Sequence, residues 1–229
     1  ASLRDIQTMG KAMGFVPTMR KGNTGVGYTL EELFGIEENN SSGADLNGVI
    51  EFKAARKGKS CRTTGFCQNL LWNYRIRDVI KKYGNRDEEK KERINFYPSL
   101  RVNAKTPAGL SMSIDGEVLS IHDDKNVALA SIPLSVIAFR FQQKLNKLLL
   151  VYADTKKVDG KEYFHYNEAY ICQDPNVEQV IKLLRSGKIV VEPRCYVDTS
   201  NDRLRDRGVA FRLSGSYLKD LYSDVKKVV

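Results

Sequence analysis

The sequence has no apolar run long enough to cross a bilayer. Ile132 to Phe139 is interrupted by Pro133 and Ser135, and Leu148 to Ala153 is six residues long. A spanning helix needs about 20. No charged segment followed by an apolar one marks a signal peptide. The sequence opens at Ala1 without Met, as a processed chain or a fragment does. Cysteine is scarce: Cys61, Cys67, Cys172 and Cys195 form no C-x-x-C pair, and His122 and His165 stand far from all four. Zinc sites use tighter ligand spacing. The thiols are therefore expected to be buried or idle in a reducing cytosol, which makes the expected location cytoplasmic with no membrane partner. No internal repeat is present.

What is abundant is positive charge. Thirty-seven Lys and Arg stand against 28 Asp and Glu, a net charge of +9. That balance favours an anionic partner, nucleic acid before membrane, because no basic amphipathic anchor helix stands out. With 229 residues, 41% of them apolar, the chain can form one large domain or two small lobes around a real core.

Hydrophobic spacing outlines an α/β or α+β mixture. Helices are expected over 4–14, 69–84, 133–145 and "NVEQVIKLLRSG", the last ending at Gly187. A short helix capped by Thr29 and stopped by Gly35, and a closing helix over "SYLKDLYSDVKKV" capped by Ser216, complete the set. Strands are expected at 49–53, at "INFYPSLRVNA", in a hairpin turning at Asp115-Gly116, at "KLLLVYA", at "EYFHYNEAYIC", at "KIVVEPRCYV" and at "GVAFRLS". "NRDEEKKERI" reads as an exposed charged segment.

Gly22 to Gly27 has the G-x-x-x-x-G skeleton of a phosphate-cradling loop, but Tyr28 stands where a nucleotide-binding loop carries its lysine. The preceding "GFVPTMRK" is not a buried strand either. Nucleotide triphosphate binding is thereby disfavoured. Holding a single phosphate through backbone N–H groups remains open.

The second candidate is "SSGADLNGVIEFK". Strand alternation sends Glu51 and Lys53 to one side, and Ile50 and Phe52 to the other, toward a core. Asp45, in a glycine-flanked turn, can approach Glu51. Two carboxylates and an ammonium at a strand end suit metal-dependent phosphodiester hydrolysis: the acids hold Mg²⁺, which prefers oxygen ligands and acidifies a bound water, and the lysine orients that water or neutralises developing charge. Acid-x-Lys triplets recur elsewhere, at Glu88–Lys90, Glu89–Lys91, Asp123–Lys125, Asp154–Lys156, Asp159–Lys161 and Asp224–Lys226. Most lie in polar segments and read as solvated charges. Asp154–Lys156 is the serious rival, because it follows "LLLVYA", but it lacks an upstream acid in a turn and reads as a strand end.

The stretch "RKGNTGVGYTLEELFG…D…EFK" closely resembles the MvaI/BcnI group of Type II restriction endonucleases and, more distantly, the mismatch-repair nickase MutH. The shared elements are the glycine loop, the helix G-x-x-L-E-x-x-F-G from Gly27 to Gly35, and D-x(5)-E-x-K from Asp45 to Lys53. "QKLNKLLLVYADT" is similar to the family's central strand, and "RDRGVAFRL" to its DNA-reading strand. The resemblance implies a PD-(D/E)XK restriction-endonuclease-like fold, a mixed central sheet flanked by helices with a second, DNA-recognition lobe. We expect residues 1–165 to form the catalytic lobe and 166–229 the recognition lobe. The resemblance further implies Asp45 and Glu51 as metal ligands, Lys53 as the catalytic lysine, Glu31 rather than Glu32 as an assisting acid, and Lys144 near the site. Lys147, or a plain surface role for Lys144, stays open.

Double-stranded DNA is the partner so implied, bound by a monomer. Arg203, Arg205, Arg207 and Arg212 lie in or beside the reading strand. Arginine can grip guanine O6 and N7 bidentately, which points to Arg207 and Arg212, with Asp206 able to accept from a cytosine amino group. Arg203 and Arg205 can equally form a solvated basic loop or meet phosphates. Lys21, Asn23 and Thr24 are expected at the DNA backbone, and Arg56, Lys57 and Lys59 likewise. BcnI-like enzymes carry histidines where Cys67 and Ala210 stand here, near the central base pair. Ala210 agrees better with the branch that accepts A/T at the centre of a C/G-rich site. The function expected is Mg²⁺-dependent, sequence-specific cleavage in a restriction system. A MutH-like repair nickase and a non-cleaving DNA-binding module are the alternatives.

Overall fold

The computed structural model describes residues 14–35, 50–58 and 62–229. In chain order the elements are strand β1 (Val16–Pro17), helix α1 (Gly25–Leu33), strands β2 (Ile50–Arg56), β3 (Arg62–Cys67) and β4 (Leu71–Trp72), and helix α2 (Ile76–Tyr83). Strands β5 (Asn85–Arg86), β6 (Arg93–Phe96), β7 (Ser111–Asp115), β8 (Val118–His122) and β9 (Ala128–Pro133) lead to helix α3 (Leu134–Lys144). There follow β10 (Lys147–Val158), β11 (Lys161–Pro175), helix α4 (Val177–Arg185), β12 (Val190–Asp198), β13 (Arg203–Ser214) and β14 (Tyr222–Lys227). The expected helix over 4–14 lies almost wholly outside the described residues.

Contacts divide the chain into two units. One takes the described residues up to Thr63, with Phe141–Val177 and Ser214–Val229; the other takes Thr64–Arg140 and Glu178–Leu213. The units are interleaved in sequence, whereas the expected boundary after residue 165 is a single cut, and it would fall inside β11.

The first unit is built on a sheet of order β1-β11-β10-β2, with β14 also pairing β11. β2 and β10 run parallel, from Ile50 opposite Lys147 to Arg56 opposite Ala153. β10 lies between β2 and β11 and is buried on both faces, which is why "LLLVYA" reads as a continuous apolar run. Leu149, Val151 and Ala153 face α1, where Val26 and Leu30 meet them together with Phe52, Phe164, Tyr166 and Ala169. Leu148, Leu150 and Tyr152, alternating with these, are buried as well. α1 runs antiparallel to β2. Phe34 at its C-terminal end meets the Phe52 ring (centroids 5.6 Å apart), and the loop before it bonds to Arg56 at the far end of β2.

The second unit holds two sheets, of orders β3-β13-β12-β6-β5 and β4-β9-β8-β7. Phe66 stacks on Phe211 at 4.8 Å, and Trp72 meets Phe96 edge-on. The expected hairpin forms: Asp115 pairs with Val118, leaving Gly116 and Glu117 as a two-residue turn.

Three expectations change. Thr29 does not cap α1; the helix begins four residues earlier, and the fully buried Thr29 hydroxyl accepts from the Met19 N–H at 3.0 Å. The expected helix 69–84 shrinks to α2, because Leu71 and Trp72 pair with Ser131 and Ala130 of β9. The expected closing helix is instead two 3-10 turns, Gly215–Tyr217 and Lys219–Leu221, followed by strand β14. β11 offers an open edge from Tyr170 to Pro175, and pairing with it overrides helical spacing. Ser214, not Ser216, caps the first of those turns.

Burial raises three groups on these strands above their ordinary values: the Cys172 thiol from 9.0 to about 11, the Cys195 thiol from 9.0 to about 12, and the Tyr152 phenol from 10.0 to about 12. Each favours the folded state in its protonated form. That contribution is complete below pH 9 for the thiols and below pH 10 for the phenol, and it is lost as pH climbs through the raised values. Stability is expected to fall progressively between pH 9 and pH 12, by about 3 kcal/mol per group. Urea unfolding midpoints at pH 8, 10 and 11.5 check this, and equal midpoints would refute it.

Candidate active site

The parallel register sets Glu51 opposite Leu148, and Lys53 opposite Leu150. Glu51 is 1% exposed, so its charge must be met by partners or the carboxyl must stay protonated. Two partners are present. The Lys53 ammonium contacts Oε1, and the Lys144 ammonium lies 2.8 Å from Oε2. Lys144 is the last residue of α3. The helix turns directly into β10 there, and the Tyr222 hydroxyl donates to the Leu145 carbonyl at 2.9 Å. Tyr222 is buried, and desolvation, with smaller contributions from Cys172 and Glu51, holds its phenol well above the ordinary value. It thus stays a donor at neutral pH. Lys144 and Lys53 thus both meet Glu51; Lys147 stands one register step before Glu51, opposite Ile50.

Glu31 is half-buried on α1, its Oε1 3.9 Å from where a Cβ on Gly27 would sit. Glu32 is exposed and turned to Tyr28, whose phenol its hydrogen bond and charge raise. Asp45 lies outside the described residues, as does Lys59. No group of three His, Cys, Asp or Glu side chains among the described residues is arranged to hold a metal. Glu51 by itself supplies oxygen donors of the kind a hard cation takes, with the two ammoniums now on it competing for the same oxygens.

The glycine loop is fixed from beneath by Arg56. This side chain is 4% exposed, and its Nε and Nη2 grip Glu162 at 2.8 and 2.6 Å. Its remaining reach goes to the carbonyls of Asn23 (2.9 Å) and Gly22 (3.1 Å). Arg56, expected at the DNA backbone, is therefore an internal anchor, because a guanidinium so engaged has turned its donors inward. Gly25 has to lack a side chain, since a Cβ there would stand 2.4 Å from the Arg20 carbonyl oxygen. Tyr28, at the lysine position of a nucleotide loop, lies under the Arg20 guanidinium at 3.6 Å. Lys21, Asn23 and Thr24 remain exposed on the outer side of the loop. Lys57 lies 3.1 Å from Glu168 and 3.9 Å from Asp154, so Asp154, the rival acid, belongs to a local charge network.

In the second unit, Arg203, Arg205, Asp206 and Arg207 are exposed on β13. Asp206 accepts from the Gly208 N–H at 2.7 Å, and Arg194 donates to the Arg207 carbonyl at 2.7 Å and to Cys67 Sγ at 3.1 Å. Arg212 is tied more firmly than expected: it donates to Glu192 at 2.7 Å, and Ser99 holds the other Glu192 oxygen at 2.8 Å. Ala210, expected near a base pair, is fully buried. Sequence reasoning missed Glu162, Glu192, Arg194 and Tyr222. Only Arg194 left a trace, in the Pro193 beside it that marks an irregular strand, and the register indeed shifts between Pro193 and Cys195.

The sequence profile of the MvaI/BcnI restriction endonuclease family matches residues 2–222. A solved structure of restriction endonuclease MvaI with its cognate DNA substrate matches with a TM-score of 0.79 at 24% identity, over 99% of this chain and 96% of that one. MvaI in the absence of DNA matches with a TM-score of 0.57 at 22% identity, over the same shares. These likenesses establish the fold as that of a restriction endonuclease. No curated protein sequence matches. No helix among the described residues is long and apolar enough to cross a membrane.

Replacing Arg56 by Met would leave the Glu162 carboxylate and two loop carbonyls without their donor. Unfolding free energy is expected to fall by about 3 kcal/mol, the low end for a broken buried pair, because Glu162 keeps 16% exposure. Urea denaturation measures it, and a change under about 0.5 kcal/mol, the size of an ordinary surface substitution, would show that the pair is not structural.

Proposed function

Because this chain belongs to the MvaI/BcnI restriction endonuclease family, and is thereby a Type II site-specific deoxyribonuclease, we propose that it uses Mg²⁺ to hydrolyse double-stranded DNA at a short C/G-rich site. The observation that carries the proposal is the buried Glu51 carboxylate held between Lys53 and Lys144. A buried carboxylate with two ammoniums is costly as mere architecture and well suited to a phosphodiester, whose hydrolysis moves negative charge between oxygens.

In this reading Asp45 and Glu51 hold the metal, as the D-x(5)-E-x-K motif suggests. When bound, Mg²⁺ lowers the pKa of a coordinated water and offsets charge on the phosphate. Lys53 orients the attacking water and stabilises the charge that develops. Lys144 fixes the second Glu51 oxygen, and Tyr222 fixes the turn that carries Lys144. Glu31 assists from α1. Lys21, Asn23 and Thr24 meet the DNA backbone on the outer side of the anchored loop, with Lys57 and Lys59 beyond the catalytic strand. Arg203 and Arg205 contact phosphates, while Asp206, Arg207 and Arg212 read base edges. Glu192 would then position Arg212 for that task. We place the enzyme in the cytoplasm, acting as a monomer in a restriction system.

Incubation with a phage genome and Mg²⁺ is expected to give discrete fragments, whose sequenced ends report the site, and EDTA is expected to abolish them. Asp45→Ala and Lys53→Ala should be inactive, and Lys144→Ala slower by about 100-fold, the usual cost of losing one charge-stabilising donor. Full cleavage by Asp45→Ala would overturn the assignment of the site.

A further inference from the structure

A concavity of about 800 Å³ opens between the glycine loop, residues 18–23, and the turn of the β10–β11 hairpin, residues 157–162. Its walls are tied by backbone hydrogen bonds. Thr18 N–H donates to the Glu162 carbonyl at 2.8 Å, and β1 pairs with β11 at Phe164 and Tyr163. The hairpin closes through Asp159 (φ 48°) and Gly160 (φ 74°). Two consecutive positive φ values form the tight turn that matches strand twist, so the hairpin keeps its pairing out to Val158 and Lys161. The floor is the Arg56–Glu162 pair.

The charge of this groove is one-sided. Arg20, Lys21, Lys157 and Lys161 line it, against the Asp159 carboxylate, once Glu162 is set against Arg56. Lys21, Lys157 and Lys161 are exposed. Among the described residues no aromatic side chain lines it. It therefore offers nothing to hold a base or a ring, and small-molecule sites are mostly apolar. Cations without an aromatic platform suit phosphate oxygens on a backbone.

Position narrows the ligand. β2 and β10 run parallel from Glu51 and Leu148 toward the groove. At about 3.3 Å per residue, Arg56 lies roughly 16 Å and Lys157 roughly 30 Å along the sheet from Glu51. At about 3.4 Å per base pair this is roughly five to nine base pairs of duplex. Resting on the proposed nuclease function, we propose that the groove grips the phosphate backbone of DNA flanking the recognition site, with Lys157 and Lys161 as its contacts. Lysine–phosphate contacts fix position and carry no base information, so the grip is independent of flanking sequence. The Asp159–Lys161 triplet at the hairpin turn thereby acquires a use other than metal binding.

The test compares the wild-type chain with the double variant Lys157→Ala/Lys161→Ala in EDTA, by fluorescence anisotropy. The probes are a duplex with the cleaved site flanked by 3 bp, the same site flanked by 15 bp, and a 30-bp duplex of arbitrary sequence. The wild-type chain is expected to bind the long-flank duplex about tenfold tighter than the short one. The double variant should lose most of that advantage, with its salt slope on long DNA reduced by about 2, near 0.9 per phosphate contact. Its affinity and cutting position on the short duplex should be unchanged. Equal losses on both lengths, or no dependence on flank length in the wild type, would overturn the groove. If no cleavage occurs with any divalent ion, the nuclease reading fails. The groove is then judged on the arbitrary duplex: a lowered salt slope in the variant supports it, and an unchanged slope removes it.

Discussion

The structure turns on the burial of one negative charge. Glu51 sits within a sheet where water does not reach it, and a carboxylate there is tolerable only with partners. One comes from its own strand, Lys53, two residues on. The other, Lys144, comes from the end of α3. That requirement explains several features together. α3 has to stop at Lys144, the turn after it has to be pinned, and the pin is a phenol from β14. β14 is in turn held by β11. The carboxylate thus recruits elements from three separate stretches of chain, and those three stretches make up the first unit.

A second ion pair acts at the other end of the same strand. Arg56 closes β2 as Glu51 nearly opens it, and between them lies the face on which α1 packs. Arg56 spends its donors on Glu162 and on loop carbonyls. The glycine loop is therefore oriented by the sheet as well as by its own Gly25. Its outward residues face solvent because its carbonyls are drawn in. A loop held in this way can approach a phosphate without first losing conformational freedom, which lowers the entropic cost of contact.

Much of this was legible in the sequence because it rests on local pattern. The glycine loop, the E-x-K strand and "LLLVYA" each announce themselves through spacing, and each falls where expected. A place for Lys144 near the site was expected only through family resemblance, and its pairing with Glu51 was not foreseen, since nothing in the residues joins positions so far apart. What escaped was set by tertiary contact. "SYLKDLYSDVKKV" has helical spacing, yet an open strand edge on β11 claimed it. "NLLW" reads as helix, yet β9 claimed it. Arg56 looked like a surface cation following a strand, and its burial depended on Glu162, a residue on a hairpin far downstream. Glu192 likewise could not be matched to Arg212 without the register of β12 and β13. Acid–base partners across a sheet leave no periodic signature.

The parallel pairing of β2 with β10 has a consequence in time. Parallel neighbours cannot be joined by a tight turn, and here Glu51 waits for Leu148 while the whole of Thr64–Arg140 is made between them. Tyr222 comes later still. Contacts of such separation close slowly, after the local ones have formed. During synthesis, therefore, the acid and the Lys144 ammonium stay apart until most of the second unit has emerged. The buried charge cluster is thus completed only after both strands that frame it, β2 and β10, have been made.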